Sequence, residues 1–251
     1  MKNLILLIFT LSFFSCSENN PQVTNQNYEP LPFPYETVHF NFYYTDFDTL
    51  NISAVADSLE RHYERIVSDL NSDTLPEVNV HFYTNYDSLA AAVRHVVPNL
   101  PTWAIGLAIS QSEIHMLSPN LTGLGFDYMV TNVIHEFAHC VSYHIRPNIG
   151  NNPRWLWESV AIYEAGQFVD PHNIPYLVSH NPPTLNQLNS FSNAMIYEVG
   201  YLLSEYIILN WSREHFVNLI LTNGNLQQVL GVNTSQFESG WFAFLQKRYG
   251  I

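Results

Sequence analysis

Hydrophobic and polar residues change their period near residue 126, and that change divides the chain. Val38-His39-Phe40-Asn41-Phe42-Tyr43-Tyr44 alternates and is rich in strand-favouring side chains, which predicts a β-strand. From Asn51 to Leu70 the apolar positions Val55, Leu59, Ile66 and Leu70 recur at helical spacing, with His62 or Tyr63 on the same side. After Pro76, Val78 to Tyr83 alternates again and predicts a second strand. Asp87 to Val97 predicts a short helix stopped by Pro98. Trp103 to Ser110 and Glu113 to Leu117 predict two further strands joined by a turn at Gln111-Ser112. The order β-α-β-α-β-β implies a mixed sheet with helices packed on it.

From Asp127 onward no strand pattern remains. Asp127 to Ile145 predicts a helix that can bury Val130, Ile134, Phe137, Ala138 and Val141, ended by Pro147 and Gly150. Trp155 to Phe168 predicts another, opened by Pro153. A proline-rich loop spans Asp170 to Pro183, and helices are expected over 193–210, 212–222, 225–230 and 234–249. The 193–210 segment is apolar, but Glu198 and Glu205 argue against a membrane span. The expected fold class is α+β, in one domain over 35–251: a sheet lobe to about residue 126, a central helix at 127–145 and an all-helical lobe from about 146.

The start of the chain has a different character. Lys2 precedes an apolar run from Leu4 to Phe14, too short for a membrane span but of the length of a signal-peptide core. The run ends Phe13-Phe14-Ser15-Cys16, then Ser17-Glu18-Asn19-Asn20, which resembles a bacterial lipoprotein signal. Residues 1–15 are then the signal peptide, Cys16 the lipidated residue, and 16–34, with Pro30, Pro32 and Pro34, an extended tether. That implies a lipid-anchored protein of the cell envelope. Ser17 is compatible with the outer membrane of a Gram-negative bacterium, with the membrane face left open.

Composition narrows the partners. Hydrophobic residues make up 47% of the chain and charged ones only 12%, which excludes disorder over most of it. Acidic side chains outnumber Lys and Arg by 22 to 9, so the net charge of −13 repels nucleic acid. The chain has 2 cysteines. With Cys16 carrying lipid, Cys140 has no partner and no disulfide is expected. Cys140 follows His139 but points about 100° away from it, which suits a small buried hydrophobe.

Chemistry concentrates in His135-Glu136-Phe137-Ala138-His139. Four residues apart on a helix, both imidazoles project from one face and can grip one metal ion, with Glu136 beside its open side. A catalytic zinc site needs a third protein ligand and an open position. Glu158 and Glu164, on the next helix, are the candidates. His144, nine residues after His135, points to the opposite side of the helix. His39, His62, His81, His95, His115, His172, His180 and His215 have no ligand spacing and are read as structural. Ser142 and Ile145 stand where the metzincin continuation needs glycine and histidine.

Trp155-Leu156-Trp157-Glu158-Ser159-Val160-Ala161-Ile162-Tyr163 resembles the W-L-x-E-G-x-A-x-Y segment of the gluzincin metallopeptidases. In their M1-like branch, including the compact peptidase MA-like forms, the ligand glutamate follows H-E-x-x-H after eighteen residues. Glu158 stands at that interval. The resemblance, over roughly residues 100–249, implies a zincin-type, thermolysin-like catalytic domain and one Zn²⁺ held by His135, His139 and Glu158. Two departures are visible: Ser159 replaces the usual glycine, and Ala165 stands where the family often has a second acidic residue. Asn193-Ala194-Met195-Ile196-Tyr197-Glu198-Val199-Gly200 resembles the family's Y-E-K-G segment, which would make Tyr197 a catalytic residue stabilising the oxyanion.

What the resemblance implies is peptide-bond hydrolysis of a peptide or protein substrate, with Glu136 as general base toward a zinc-activated water. The substrate could add as a strand along an exposed edge at 104–110 or 113–117. M1 aminopeptidases carry an upstream G-x-M-E-N segment, and the corresponding Ala104 to Ser110 has no acidic residue. Endopeptidase action therefore stands at least level with aminopeptidase action. A protein of another class, a non-catalytic lipoprotein using the zincin fold as an envelope scaffold, is the alternative.

Overall fold

The alternating stretches pair into one five-stranded mixed sheet in a computed structural model that describes residues 34–121 and 123–251. The expected signal peptide, Cys16 and the tether up to residue 33 lie outside the described residues. Strands β1 (Tyr35–Glu36), β2 (Phe40–Tyr43), β3 (Val78–Tyr83), β4 (Gly106–Ser110) and β5 (Glu113–Leu117) lie in the order β1-β2-β3-β5-β4. The β2–β3 and β3–β5 pairs are parallel, and the outer pairs are antiparallel. Parallel neighbours need a crossover. Helix α1 (Ile52–Asp69) supplies the first, and α2 (Tyr86–Val93) lies within the second.

Period-two alternation gives the sheet two unlike faces. Phe40, Phe42, Val78, Val80, Phe82, Ile114 and Met116 are buried on one. Against it pack α1 and the long α3 (Phe126–Ile145), and the Phe137 ring lies 5.1 Å from that of Phe40 and 5.4 Å from Tyr63. Asn41, Tyr43, Asn79, His81, Tyr83, Glu113 and His115 alternate with these residues and take the other face.

Every element after Leu117 is helical among the described residues: α3, α4 (Arg154–Glu164), α5 (Pro175–Val178), α6 (Leu185–Leu188), α7 (Met195–Asn210), α8 (Arg213–Leu221), α9 (Leu226–Leu230) and α10 (Thr234–Tyr249), with a 3₁₀ turn at Pro171–Asn173. One apolar cluster runs from Phe40 on the sheet through Phe137 to Leu245 on α10. No described helix is long and apolar enough to cross a membrane.

Helices α4 and α7 approach closely at Gly200. A Cβ there would lie 2.6 Å from Cδ1 of Ile162 and 3.2 Å from Cα of Ser159. Ser204 Oγ donates to the Ser159 carbonyl at 2.8 Å, and Ser159 Oγ donates one turn back to Trp155 O at 2.6 Å. Serine in place of glycine at 159 thus sits in a regular, buried helix.

Four expectations need correction. The strand expected from Trp103 begins at Gly106, because Ala104 N–H closes a turn onto Pro101 O. The helix expected to reach Val97 ends at Val93, and the amides of Val96 and Val97 fold back onto the Val93 carbonyl. The helix expected to reach Phe168 ends at Glu164, because Gly166 takes φ 69° and turns the chain. Residues 113–117 form an interior strand, so of the two edges proposed for a peptide only β4 is exposed to pairing.

Candidate metal centre

Helix α3 carries His135 and His139 on its buried side, and α4 crosses it to bring Glu158 opposite them. Nε2 of His135 lies 3.4 Å from Glu158 Oε2, and Nε2 of His139 lies 3.8 Å from the same oxygen. All three ligand atoms fall within 4.8 Å of one another. Donors bound to one tetrahedral zinc ion at ordinary lengths lie about 3.4 Å apart. The imidazole planes stand at 88° to each other, so their lone pairs can converge instead of running parallel.

The surroundings favour a cation. His135 Nδ1 is spent on Gln167 Oε1 at 2.8 Å. An amide oxygen accepts, so Nδ1 carries the proton and Nε2 turns its lone pair toward the Glu158 carboxylate. Two electron-rich atoms held so close need a proton or a metal ion between them. Burial opposes a charge on His135, but hydrogen bonding from Glu158 and the nearby Glu136 and Glu158 charges outweigh it and raise its pKa. The potential that draws a proton to that point draws a metal cation equally. Burial, then His135, hold His139 well below its ordinary range, which keeps a neutral nitrogen as ligation requires. His139 stacks on Trp157 at 3.9 Å and 6°, and its buried Nδ1 has no hydrogen-bond partner among the described residues. These residues fit a metal ion: two neutral-capable nitrogens and one carboxylate, dry and mutually oriented.

Glu136 stands beside the triad and outside it. Its Oε2 accepts the Ala108 amide of β4 at 2.8 Å, which pins the carboxylate between helix and sheet. Burial raises its pKa to about 7, with the Glu158 charge adding to the rise while His135 opposes it. Tyr197, on the first turn of α7, is half-exposed. Burial of its hydroxyl, then the Glu158 charge, raises its pKa, and Glu136 adds to the rise, which puts the phenol within the field of both carboxylates. Arg154 lies over the Tyr197 ring at 5.4 Å and over Phe191 at 5.0 Å, with Nη1 donating to Ser190 O at 2.6 Å.

The remaining candidates lie elsewhere. Glu164 is buried and ion-paired with Arg65 of α1 at 2.8 Å and Arg213 of α8 at 3.3 Å. It ties three helices and stays out of the triad. His144 Nδ1 bonds Gln111 Oε1 at 2.9 Å, and Cys140 is a free, fully buried thiol.

Two features were not anticipated. Gln167 reaches His135 only because Gly166 ends α4 early. A second group, His81, Glu113 and His115, also brings its ligand atoms within 4.8 Å of one another, although these histidines lack ligand spacing in sequence. Burial, then His115, pushes the pKa of His81 down to about 4. The available signal was the alternation of two strands, which puts a histidine on the same face of each. Neither a scan against protein-family models nor a search of curated proteins returned a match for the chain.

Proposed function

We propose that the protein is a zinc metallopeptidase of the gluzincin type, with a zincin-type catalytic domain in which His135, His139 and Glu158 hold the metal. One observation carries the reading: a third buried carboxylate, Glu136, is fixed by the Ala108 amide beside the triad without joining it. A structural metal site has no use for a base so placed, whereas hydrolysis requires one.

A zinc ion bound by the triad supplies Lewis-acid polarisation and lowers the pKa of water toward neutrality. Glu136, held beside the triad by the Ala108 amide, takes the proton of the attacking water and returns it to the leaving amine. Tyr197 keeps its proton across the neutral range and donates to the carbonyl oxygen as negative charge develops. Gln167 holds the His135 ring in register. The substrate is a peptide or protein segment lying along the β4 edge, which runs past Glu136 at Ala108. Ala104 to Ser110 offers no carboxylate for a free amino terminus, so internal cleavage stands at least level with aminopeptidase action.

Zinc uptake and cleavage of a mixed peptide library by the wild type and Glu136→Gln test this. The variant should keep its metal and lose about 10²–10⁴-fold in rate, the usual contribution of a general base. Equal inertness of both proteins, with zinc bound at the triad, would reject catalysis and leave a binding or scaffold protein. The same protein is proposed to be anchored in the cell envelope by lipid on Cys16. Labelling with a radioactive fatty acid should mark the wild type and spare Cys16→Ala.

A further inference from the structure

On the sheet face turned away from α3, the parallel register sets His81 of β3 directly beside His115 of β5. Glu113, two residues before His115, shares that face. Its Oε1 lies 3.1 Å from Nε2 of His115 and 3.6 Å from Nε2 of His81. One carboxylate oxygen therefore faces both distal nitrogens. The other nitrogen of His115 is engaged by the Tyr83 hydroxyl at 2.7 Å, so the ring presents Nε2 to the cluster. A ligating histidine in a metal site is fixed in this way, by a partner on its second nitrogen.

We propose that His81, Glu113 and His115 form a second site, for a divalent transition-metal ion, separate from the triad on α3 and α4. Two imidazoles and one carboxylate suit Zn²⁺, Cu²⁺ or Ni²⁺ and disfavour the oxygen-seeking Mg²⁺ and Ca²⁺. The three residues come from two neighbouring strands, so their backbone is already fixed and little ordering remains on binding. His115 is nearly enclosed, with 7% of its side chain exposed, while His81 and Glu113 expose 25% and 39%. An ion can thus enter from solvent and keep open positions there.

The present ring arrangement sets the one movement required. His81 stacks at 9° on His115 and at 8° on Tyr43, so the two Nε2 lone pairs run side by side. Convergence on one ion turns His81 about its Cβ–Cγ bond and opens its stack with Tyr43. When the ion takes Nε2 of His115, Nδ1 carries the proton and the Tyr83 oxygen accepts it. The site does not depend on the peptidase reading, because none of its members touches Glu136 or the triad.

The test is zinc titration of the full chain against a chromophoric chelator, with folding checked by circular dichroism. The wild type should take up two equivalents, and His81→Ala and Glu113→Gln one each. Glu158→Gln should keep the sheet-face equivalent. Tyr83→Phe should keep both and weaken one by about 10–100-fold. A millimolar excess of Mg²⁺ should displace neither ion. Tyr43 ring resonances should shift on zinc addition in the wild type and stay fixed in His81→Ala. A folded His81→Ala that takes up as much zinc as the wild type, whether one equivalent or two, or displacement by Mg²⁺, would each overturn the proposal.

Discussion

The two histidine–carboxylate groups differ in how the chain assembles them, and the contrast lies in burial, ring orientation and the presence of a fourth carboxylate. On the helices, His135 and His139 stand at 88° and share a buried oxygen with Glu158, with a fourth group, Glu136, pinned beside them. On the strands, His81 and His115 stack at 9° around a half-exposed Glu113, the one carboxylate in that group among the described residues. Helical geometry points neighbouring rings inward from a curved surface, whereas a sheet lays them flat. The first group is buried, and burial raises the pKa of the Glu136 beside it. The second group meets water.

Tyr197→Phe should mark the functional half of this contrast most strongly. Losing one oxyanion donor costs about 10²–10³ in turnover, and zinc should stay bound at both groups, so kcat falls with metal content unchanged. His81→Ala, by contrast, should leave turnover alone. Unchanged peptidase turnover in Tyr197→Phe would remove the phenol from the reaction.

Gln167→Ala should separate the groups by affinity. Removing the acceptor on His135 Nδ1 should weaken zinc at the helical group by about 10–100-fold and leave the sheet group unmoved, as read by competition with a chelator. Equal weakening of both would show that the substitution disturbs the fold as a whole.

A stability measurement probes the ionic support under α4. Burial, then Asp69, raises the pKa of Glu164 to about 7 from an ordinary 4.5. A carboxyl group that holds its proton more tightly when folded contributes stability that is full below 4.5 and is lost as pH rises through 7. Between those values the wild type should lose up to about 1.4 kcal/mol per pH unit relative to Glu164→Gln, measured by urea unfolding across the window. Parallel pH profiles for the two proteins would refute it. The sheet group, on the far side of the apolar core, should keep its zinc affinity in that variant.

What could be read from the sequence follows the range over which each feature is encoded. His135 and His139 need only a helix, so their partnership is local. The resemblance of the tryptophan-rich segment, with its interval, singles out Glu158 over Glu164, and the structure puts Glu158 beside the histidines and Glu164 between two arginines. Strands β3 and β5 were bounded correctly because each alternates cleanly between turn residues. The His81–His115 pairing was hidden, since register between strands over thirty residues apart is set by the packed face and not by spacing. Gln167 was hidden for a smaller reason: a helix drawn three or four residues too long places it on the wrong side of a turn. The buried position of Arg154, which makes no ion pair with a carboxylate among the described residues, had no signal at all.

The missing side chain at Gly200 acts as a spacer of zero thickness between the helix that holds Glu158 and the helix that holds Tyr197. Tyr197 lies one turn before it on the same helix, so the clearance at residue 200 bears on how closely the phenol can approach Glu158. A methyl group there would meet Ile162 and the Ser159 backbone at once. The two helices would have to spread, and the Tyr197 hydroxyl would withdraw from Glu158 although neither residue had been substituted. Position 200 is therefore a gauge for the spacing of the two helices, written in a residue that has no side chain.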